Sequence, residues 1–338
     1  MLGGALTLKN QKKTLDEKYE NKRVLLIAGG GTLGTYTAKE LLSKGAYVDV
    51  ICLEDNVSDN ERLRYYKNNA TIEFLEGLFA ENHYDGVVNF IHYKKVDDYK
   101  PYHELIIKNT DHLIFLSSYR VYANDQIPIT ESAPRLLDTS GDAEFLEKED
   151  YALSKARCED FLRKEHSGEP WTVVRPVISF SHRRFDLFTY SRDDIWDQVK
   201  KYGKLPMPIS AKDLGAGIDW AGNSGKLIAS LLFKNQAVGE AYTVSSAQNL
   251  TWGQLADVYA EILGFEVIWC DDEKFEECYP SAVGRKKWLY FYDRKFDRTI
   301  DNSKILNVTG LKKDDFTDIA EGLRVELAIK DRLDNRGK

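Results

Sequence analysis

The sequence predicts an α/β protein, a doubly wound parallel sheet with a smaller carboxy-terminal α/β lobe. Three observations predict it. From Val24 to Pro176, short apolar runs alternate with segments of helical period, the pattern of a parallel sheet covered on both faces. The first run, Val24-Leu25-Leu26-Ile27, breaks directly into a cluster of glycines. After Pro176 the texture shifts to longer loops, with prolines gathered in 204–209.

Taken in order, residues 9–23 carry many charges and no sustained apolar period, so they are expected to lie outside the core. Residues 24–27 read as a buried strand. Leu33, Thr37, Ala38, Leu41 and Leu42 then recur at helical spacing, and Gly45 stands where a helix stops. Residues 47–53 form the second predicted strand, 71–75 the third and 87–91 the fourth. Residues 112–117 form the fifth and 171–175 the sixth, closed by Pro176. In the later portion Trp252–Leu263 is a convincing helix, with Thr251 and Gln254 spaced as a capping box.

A chain of 338 residues allows about two domains. Its 43% apolar content is enough to build a core, which excludes a disordered chain or a disulfide-stapled miniprotein. The net charge of -7 argues against nucleic acid as the main partner, because phosphate binding needs clustered cations. Cys52, Cys158, Cys270 and Cys278 show no zinc-type spacing, so buried thiols in a reducing compartment, and no metal site, are expected. No apolar run approaches a membrane span. At the amino terminus a lysine-rich stretch follows the apolar residues, the wrong order for a signal peptide. A cytoplasmic location is the resulting expectation.

Ile27-Ala28-Gly29-Gly30-Gly31-Thr32-Leu33-Gly34 joins the first strand to the first helix. Glycines there let the backbone approach a pyrophosphate, which the helix amino terminus attracts. Gly29, Gly31, Thr32, Leu33 and Gly34 are therefore candidate dinucleotide contacts, and Phe90, towards the end of the fourth strand, is a further one. An acid at the end of the second strand usually holds the 2′-hydroxyl of NAD. Glu54 is the candidate, although a solvated loop carboxylate reads as well. No nearby cation in the sequence favours the extra phosphate of NADP, so NAD is preferred over NADP.

Tyr151 and Lys155 project from one face of a helix at a spacing of four. A phenol is too weak an acid to serve as a base at neutral pH unless a cation beside it favours the phenolate. Ser118 follows the fifth strand, at the sheet edge where ligands collect. Its hydroxyl can hold a substrate oxygen while the tyrosine removes the proton. Ser118, Tyr151 and Lys155 are the candidate catalytic residues, against the plain alternative of a turn cap and a surface tyrosine.

With these residues together, the chain resembles the extended short-chain dehydrogenase/reductase family of NAD-dependent sugar epimerases and dehydratases. The resemblance runs from about Val24 to Val325. It rests on the Gly29 to Gly34 turn, Asp85-Gly86-Val87-Val88-Asn89-Phe90, Leu116-Ser117-Ser118-Tyr119-Arg120-Val121-Tyr122, the Tyr151 to Lys155 segment and Val174-Arg175-Pro176. Gly239-Glu240-Ala241-Tyr242-Thr243-Val244, Leu250-Thr251-Trp252 and Asp301-Asn302-Ser303-Lys304 look like the family's second lobe. The resemblance implies a Rossmann-type sheet and a triad of Ser118, Tyr151 and Lys155, with Tyr151 and Lys155 also touching the cofactor. It further implies a nucleotide-linked sugar held between the lobes and a possible homodimer. The implied division is a charged extension over 1–22, a dinucleotide-binding domain over 23–177 and mainly a substrate-binding lobe over 178–330, part of which can return to the sheet.

Several residues depart from the family pattern. Ile27-Ala28 replaces an opening Thr-Gly, the acid expected at the second strand's end falls on Cys52, and Leu78 stands where an aspartate commonly contacts adenine. Tyr119-Arg120 replaces the acidic pair that dehydratases use after the serine, which argues against a dehydratase. His182 and Arg183 are further candidates for substrate contact, as a diphosphate grip or a solvated loop. His92 reads as a hydrogen-bonded structural histidine. The cation–aromatic strip Arg285-Lys286-Lys287-Trp288-Leu289-Tyr290-Phe291-Tyr292 reads as lobe core or, alternatively, as a base-stacking surface. The leading expectation is an NAD(P)-dependent epimerase, with a reductase of a keto sugar or small carbonyl compound as the alternative. The rivals from another class are a non-catalytic dinucleotide sensor and an RNA-binding relative.

Overall fold

The computed structural model describes residues 15–149 and 151–336. Strands β1 (Arg23–Ile27), β2 (Tyr47–Cys52), β3 (Leu63–Lys67), β4 (Tyr84–Asn89), β5 (Thr110–Leu116) and β6 (Trp171–Pro176) build one sheet. Past β6 come the short strands β7 (Ile178–Phe180), β8 (Lys204–Pro208) and β9 (Ile218–Trp220), then β10 (Ala241–Val244) and β11 (Glu266–Cys270). The large sheet has seven strands in the order β10-β6-β5-β4-β1-β2-β3, and every pairing is parallel. This is the expected doubly wound, Rossmann-type α/β fold, with strand order reversing between β1 and β4. That reversal splays the connections apart and opens a crevice at the carboxyl edge.

Burial follows from layering. Val24, Leu25, Leu26 and Ile27 are all fully buried, because helices cover both faces of β1. On one face α1 (Thr32–Ser43) packs on the sheet; the other carries α2 (Ile72–Glu81), α3 (Val96–Lys108) and α4 (Ala152–Glu165). Beside α1 lies α5 (Ala221–Leu231), so close that a side chain on Gly225 would meet the Tyr36 backbone at 2.5 Å. The remaining core forms around β7, β8, β9 and α6 (Trp252–Leu263). Thr251 and Gln254 close the capping box before α6 as the sequence predicts.

The structure corrects three expectations. Residues 71–75 are not a strand: Thr71 caps α2, its Oγ1 accepting from the Phe74 amide at 3.2 Å, and Leu75, Leu78 and Phe79 face the core at helical spacing. The third strand is Leu63–Lys67, a half-exposed edge whose Arg64 and Lys67 mask its strand character. Second, Ala241–Val244, likened to the second lobe, is the part of the later region that returns to the seven-stranded sheet, paired with β6. Third, the expected extension is not wholly outside the core. Residues 1–14 lie outside the described residues, but Leu15 is buried and the Tyr19 hydroxyl donates to the carbonyls of Ala229 and Leu232. Two apolar side chains, four apart among many charges, are enough to dock this segment on the end of α5.

A buried polar network ties the sheet edge to α4. The Arg175 guanidinium grips both Glu159 oxygens and donates to the Tyr122 hydroxyl at 2.9 Å; the Ser117 hydroxyl donates to Glu159 at 2.5 Å. Burial alone would raise the Glu159 pKa, but Arg175 holds it below the usual carboxylate range. The network fixes Ser117, and with it the backbone that presents Ser118.

Candidate active site

The turn between β1 and α1 is built by close approach. A Cβ on Gly34 would sit 2.2 Å from the Gly29 carbonyl oxygen, and one on Gly29 would meet the Leu26 side chain at 2.6 Å. Ala28 stands in the left-handed region at φ 56°, where the family pattern has glycine. By contrast, a Cβ on Gly31 would meet nothing within 4 Å, because that residue faces the open crevice. Gly31 begins α1 without a side-chain cap, and the first turn holds no acid, so the amide dipoles there are unneutralised by the protein.

Two cavities meet at this turn, sharing Ala28 and Gly31. One, of about 430 Å³, runs to the end of β2 and is lined by Gly30, Cys52, Glu54, Asn68, Asn69 and Tyr102. The other, of about 590 Å³, has Gly31, Thr32, Leu33, Gly34 and Phe90 on the sheet side and Ser118 and Tyr151 within it. Leu78 takes no part, being buried on α2. Asn68 and Asn69, just beyond the true third strand, occupy the place the sequence reading gave to Leu78. Their legible signal was an Asn-Asn turn ahead of a threonine helix cap.

The larger cavity carries Arg120 on the turn after β5 and Arg184, Lys286 and Arg294 from the lobe side. Arg184 pairs with Asp186, Lys286 with Asp194 at 3.0 Å, and Arg294 with Asp293. Arg120 pairs with the buried Glu149 at 3.3 Å, while its Nε is buried without a hydrogen-bond partner. The structure places His182 and Arg183 elsewhere than expected. His182 Nδ1 lies 3.0 Å from the Glu326 carboxylate, which also accepts the His182 amide, so the ring is tied to the helix Ile319–Arg336 and lines neither cavity. Arg183 instead reaches the glycine turn, donating to the Gly30 carbonyl at 2.8 Å and pairing with Glu54 at 3.4 Å. The sequence alone gave Glu54 no nearby cation; the fold supplies one from a loop 129 residues later. Most of the 285–292 strip is packing: Tyr290 is fully buried and Tyr292 stacks on Phe145 at 4.0 Å, while Lys286 and Leu289 reach the cavity.

Tyr151 lies at the start of α4, half-buried on the cavity wall. The Arg120 guanidinium stands 5.0 Å from its ring centre and the His92 ring meets its edge at 5.0 Å. His92 Nε2 lies 3.0 Å from the Ser154 hydroxyl. Ser118 begins a short helical turn, its Oγ accepting the Arg120 amide at 3.2 Å. This leaves its hydroxyl proton and a lone pair for the cavity. Lys155 is buried one turn below Tyr151, donating to the carbonyls of Leu116 at 2.6 Å and Ile91 at 3.1 Å. Its ammonium therefore bridges the ends of β5 and the β4–α3 loop.

Burial pushes the Lys155 pKa down from 10.5 to about 8. With the folded value below the unfolded one, the unfolded chain holds the extra proton between those limits. The contribution of Lys155 to stability is therefore poorest below about pH 8 and improves as pH rises towards 10.5. Measured by denaturant unfolding, the wild-type protein should gain on the order of 3 kcal/mol relative to Lys155→Met between about pH 7 and 11. A difference independent of pH would contradict the buried ammonium.

No family profile and no curated protein sequence matches the chain. Solved structures do. The chain is similar to the epimerase Mth375 of Methanothermobacter thermautotrophicus at 15% identity and TM-score 0.65, covering 94% of this chain and 96% of that one. It is similar to WbmH of Bordetella bronchiseptica, solved in complex with NAD+, at 18% identity and TM-score 0.65, covering 93% and 99%. A UDP-glucose 4-epimerase of Thermotoga maritima, solved with UDP-glucose, matches at 16% identity and TM-score 0.65, covering 92% and 98%. At such identities the likeness establishes the fold, which this chain shares with all three proteins.

Proposed function

We propose that the protein is an NAD-dependent enzyme of the epimerase type acting on a nucleotide-linked sugar, with the region after Val177 forming most of the substrate side. The observation that carries this reading is the larger cavity, where Ser118 and Tyr151 share one space with the glycine turn and a cationic wall. The residues fit a dinucleotide. Gly31 leaves open space above an uncapped helix terminus, and the second cavity ends at Glu54. When bound, the nicotinamide supplies a reversible acceptor for the hydride of a carbinol carbon.

The chain's own groups do the rest. Tyr151 takes the hydroxyl proton from its place on the cavity wall, with the Arg120 guanidinium 5.0 Å from its ring centre. Ser118 donates to the same oxygen and fixes its direction. Lys155, expected at the cofactor ribose, lines neither cavity; it holds the Ile91 and Leu116 carbonyls and so fixes the sheet edge beside Tyr151. The buried, unpartnered Arg120 Nε and the neighbouring Arg184 suit a diphosphate, which binds guanidinium in forked geometry. The T. maritima structure holding UDP-glucose supports the substrate class, and the WbmH complex supports an NAD-type cofactor.

The preference for NAD over NADP rests on Glu54, whose carboxylate would accept the ribose 2′-hydroxyl and repel a 2′-phosphate. Arg183 beside it would welcome that phosphate once Glu54 is gone. Glu54→Ala should therefore narrow the ratio of NADP to NAD dissociation constants by about tenfold or more. Adding Arg183→Ala should restore much of the gap. An unchanged ratio in Glu54→Ala would remove this basis for cofactor choice.

Epimerisation of UDP-sugars by the purified protein tests the activity itself. Tyr151→Phe should lower kcat by about 10²–10⁴-fold while leaving dinucleotide affinity within a few-fold. Full turnover by that variant would overturn the assignment.

A further inference from the structure

Away from the crevice, three side chains from separate elements converge. His103 comes from the middle of α3, His166 caps the carboxyl end of α4, and Glu169 lies in the turn before β6. One Glu169 oxygen is 2.8 Å from His103 Nε2, and the other is 3.1 Å from His166 Nδ1. All three donor atoms lie within 4.8 Å of one another. The two imidazole rings meet edge to face at 4.3 Å between centres, and Phe161 packs against both. None of the three lines either cavity of the crevice.

From this geometry we propose that His103, His166 and Glu169 form a binding site for a divalent transition-metal ion, with Zn2+ the ion best matched to two imidazoles and a carboxylate. A tetrahedral zinc ion sits about 2.0–2.2 Å from nitrogen and oxygen ligands, so it draws its donors to roughly 3.3 Å apart. The two histidine–carboxylate pairs, at 2.8 and 3.1 Å through different Glu169 oxygens, are near that spacing, and the whole set, within 4.8 Å, needs only a modest closing of the exposed His166 and Glu169. A water completes the fourth position from the solvent side, where the side chains of His166 and Glu169 are 18% and 37% exposed. His103 is fully buried and cannot swing away. Its other nitrogen, Nδ1, lies 3.3 Å from the Tyr99 hydroxyl. That hydroxyl can donate to Nδ1 in the metal-free state and accept from it once Nε2 takes the ion. Such an outer partner orients a histidine ligand.

Sequence spacing conceals the site, because 66 residues separate His103 from Glu169 and no cysteine pair accompanies them. Its effect is structural: the ion would fasten α3 to the turn that leads into β6, adding its binding free energy to the stability of that side of the sheet. The site is independent of the reaction proposed above.

Calorimetric titration of the full-length, chelator-treated protein with Zn2+ alone provides the test, with circular dichroism to establish that each variant is folded. One saturable site is expected, with Zn2+ raising the unfolding midpoint. His166→Ala and Glu169→Gln, both at the solvent side, should each weaken binding by about tenfold or more and abolish the midpoint rise. His83→Ala, an exposed histidine outside the cluster, should leave both unchanged. Absence of saturable Zn2+ binding, or binding that survives both substitutions, would overturn the proposal.

Discussion

The close packing of the β1–α1 turn is the constraint on which the remaining site geometry depends. Gly34 lets the first turn of α1 rest on the Gly29 carbonyl with no room for a single carbon between them. That contact brings the uncapped helix terminus up to the sheet edge. It also leaves Gly31 facing the gap that the β1–β4 reversal opens. Larger residues at Gly29 or Gly34 would push the helix away, and the two cavities would lose their common wall. Ala28, held in a left-handed conformation that disfavours an L side chain by roughly 1–2 kcal/mol, indicates how strongly the surrounding packing sets this turn.

Opposite that turn, the protein places charge by burying it in pairs. Arg175 and Glu159 fix the β6–α4 contact, while Asp293 is shared by Tyr119, Arg294 and Arg298. These networks sit behind the cavity wall and hold Ser118 and the lobe-side arginines in place. Breaking either network from one side would leave an uncompensated buried charge, which is far costlier than an exposed pair. Lys155 is the exception, since it has carbonyl partners and no buried carboxylate in direct contact. That is why burial dominates its titration.

Much of this was legible in the sequence where the determinants are local. The glycine turn, the capping box at Thr251 and the residues Ser118 and Tyr151 each declare themselves within a few positions. The order of strands from 24 to 176 was also legible, except the third. Edge strand β3 reads as polar because only part of it is covered, whereas α2 begins with a run, Ile72 to Leu75, that mimics a strand. What escaped depends on distant partners. His182 looked available for substrate because Glu326, which binds it, lies 144 residues away. Arg183 was not seen beside Glu54, nor were Arg184, Lys286 and Arg294 seen converging on one cavity. Part of the later region was expected to return to the sheet, but Ala241–Val244 was not recognised as that part, since a four-residue strand carries little periodic signal.

The central claim is that the crevice at the β1–β4 reversal receives a dinucleotide against the glycine turn. Calorimetric titration of NAD+ into the wild-type protein and Gly31→Leu tests it most directly, because a Cβ at this position meets nothing within 4 Å, so the variant should fold while its side chain enters the crevice. Stoichiometric binding by the wild-type protein, weakened at least about tenfold (about 1.4 kcal/mol) in the variant, is the predicted result. A wild-type protein that takes up no dinucleotide, or a variant that binds it equally well, would contradict the account.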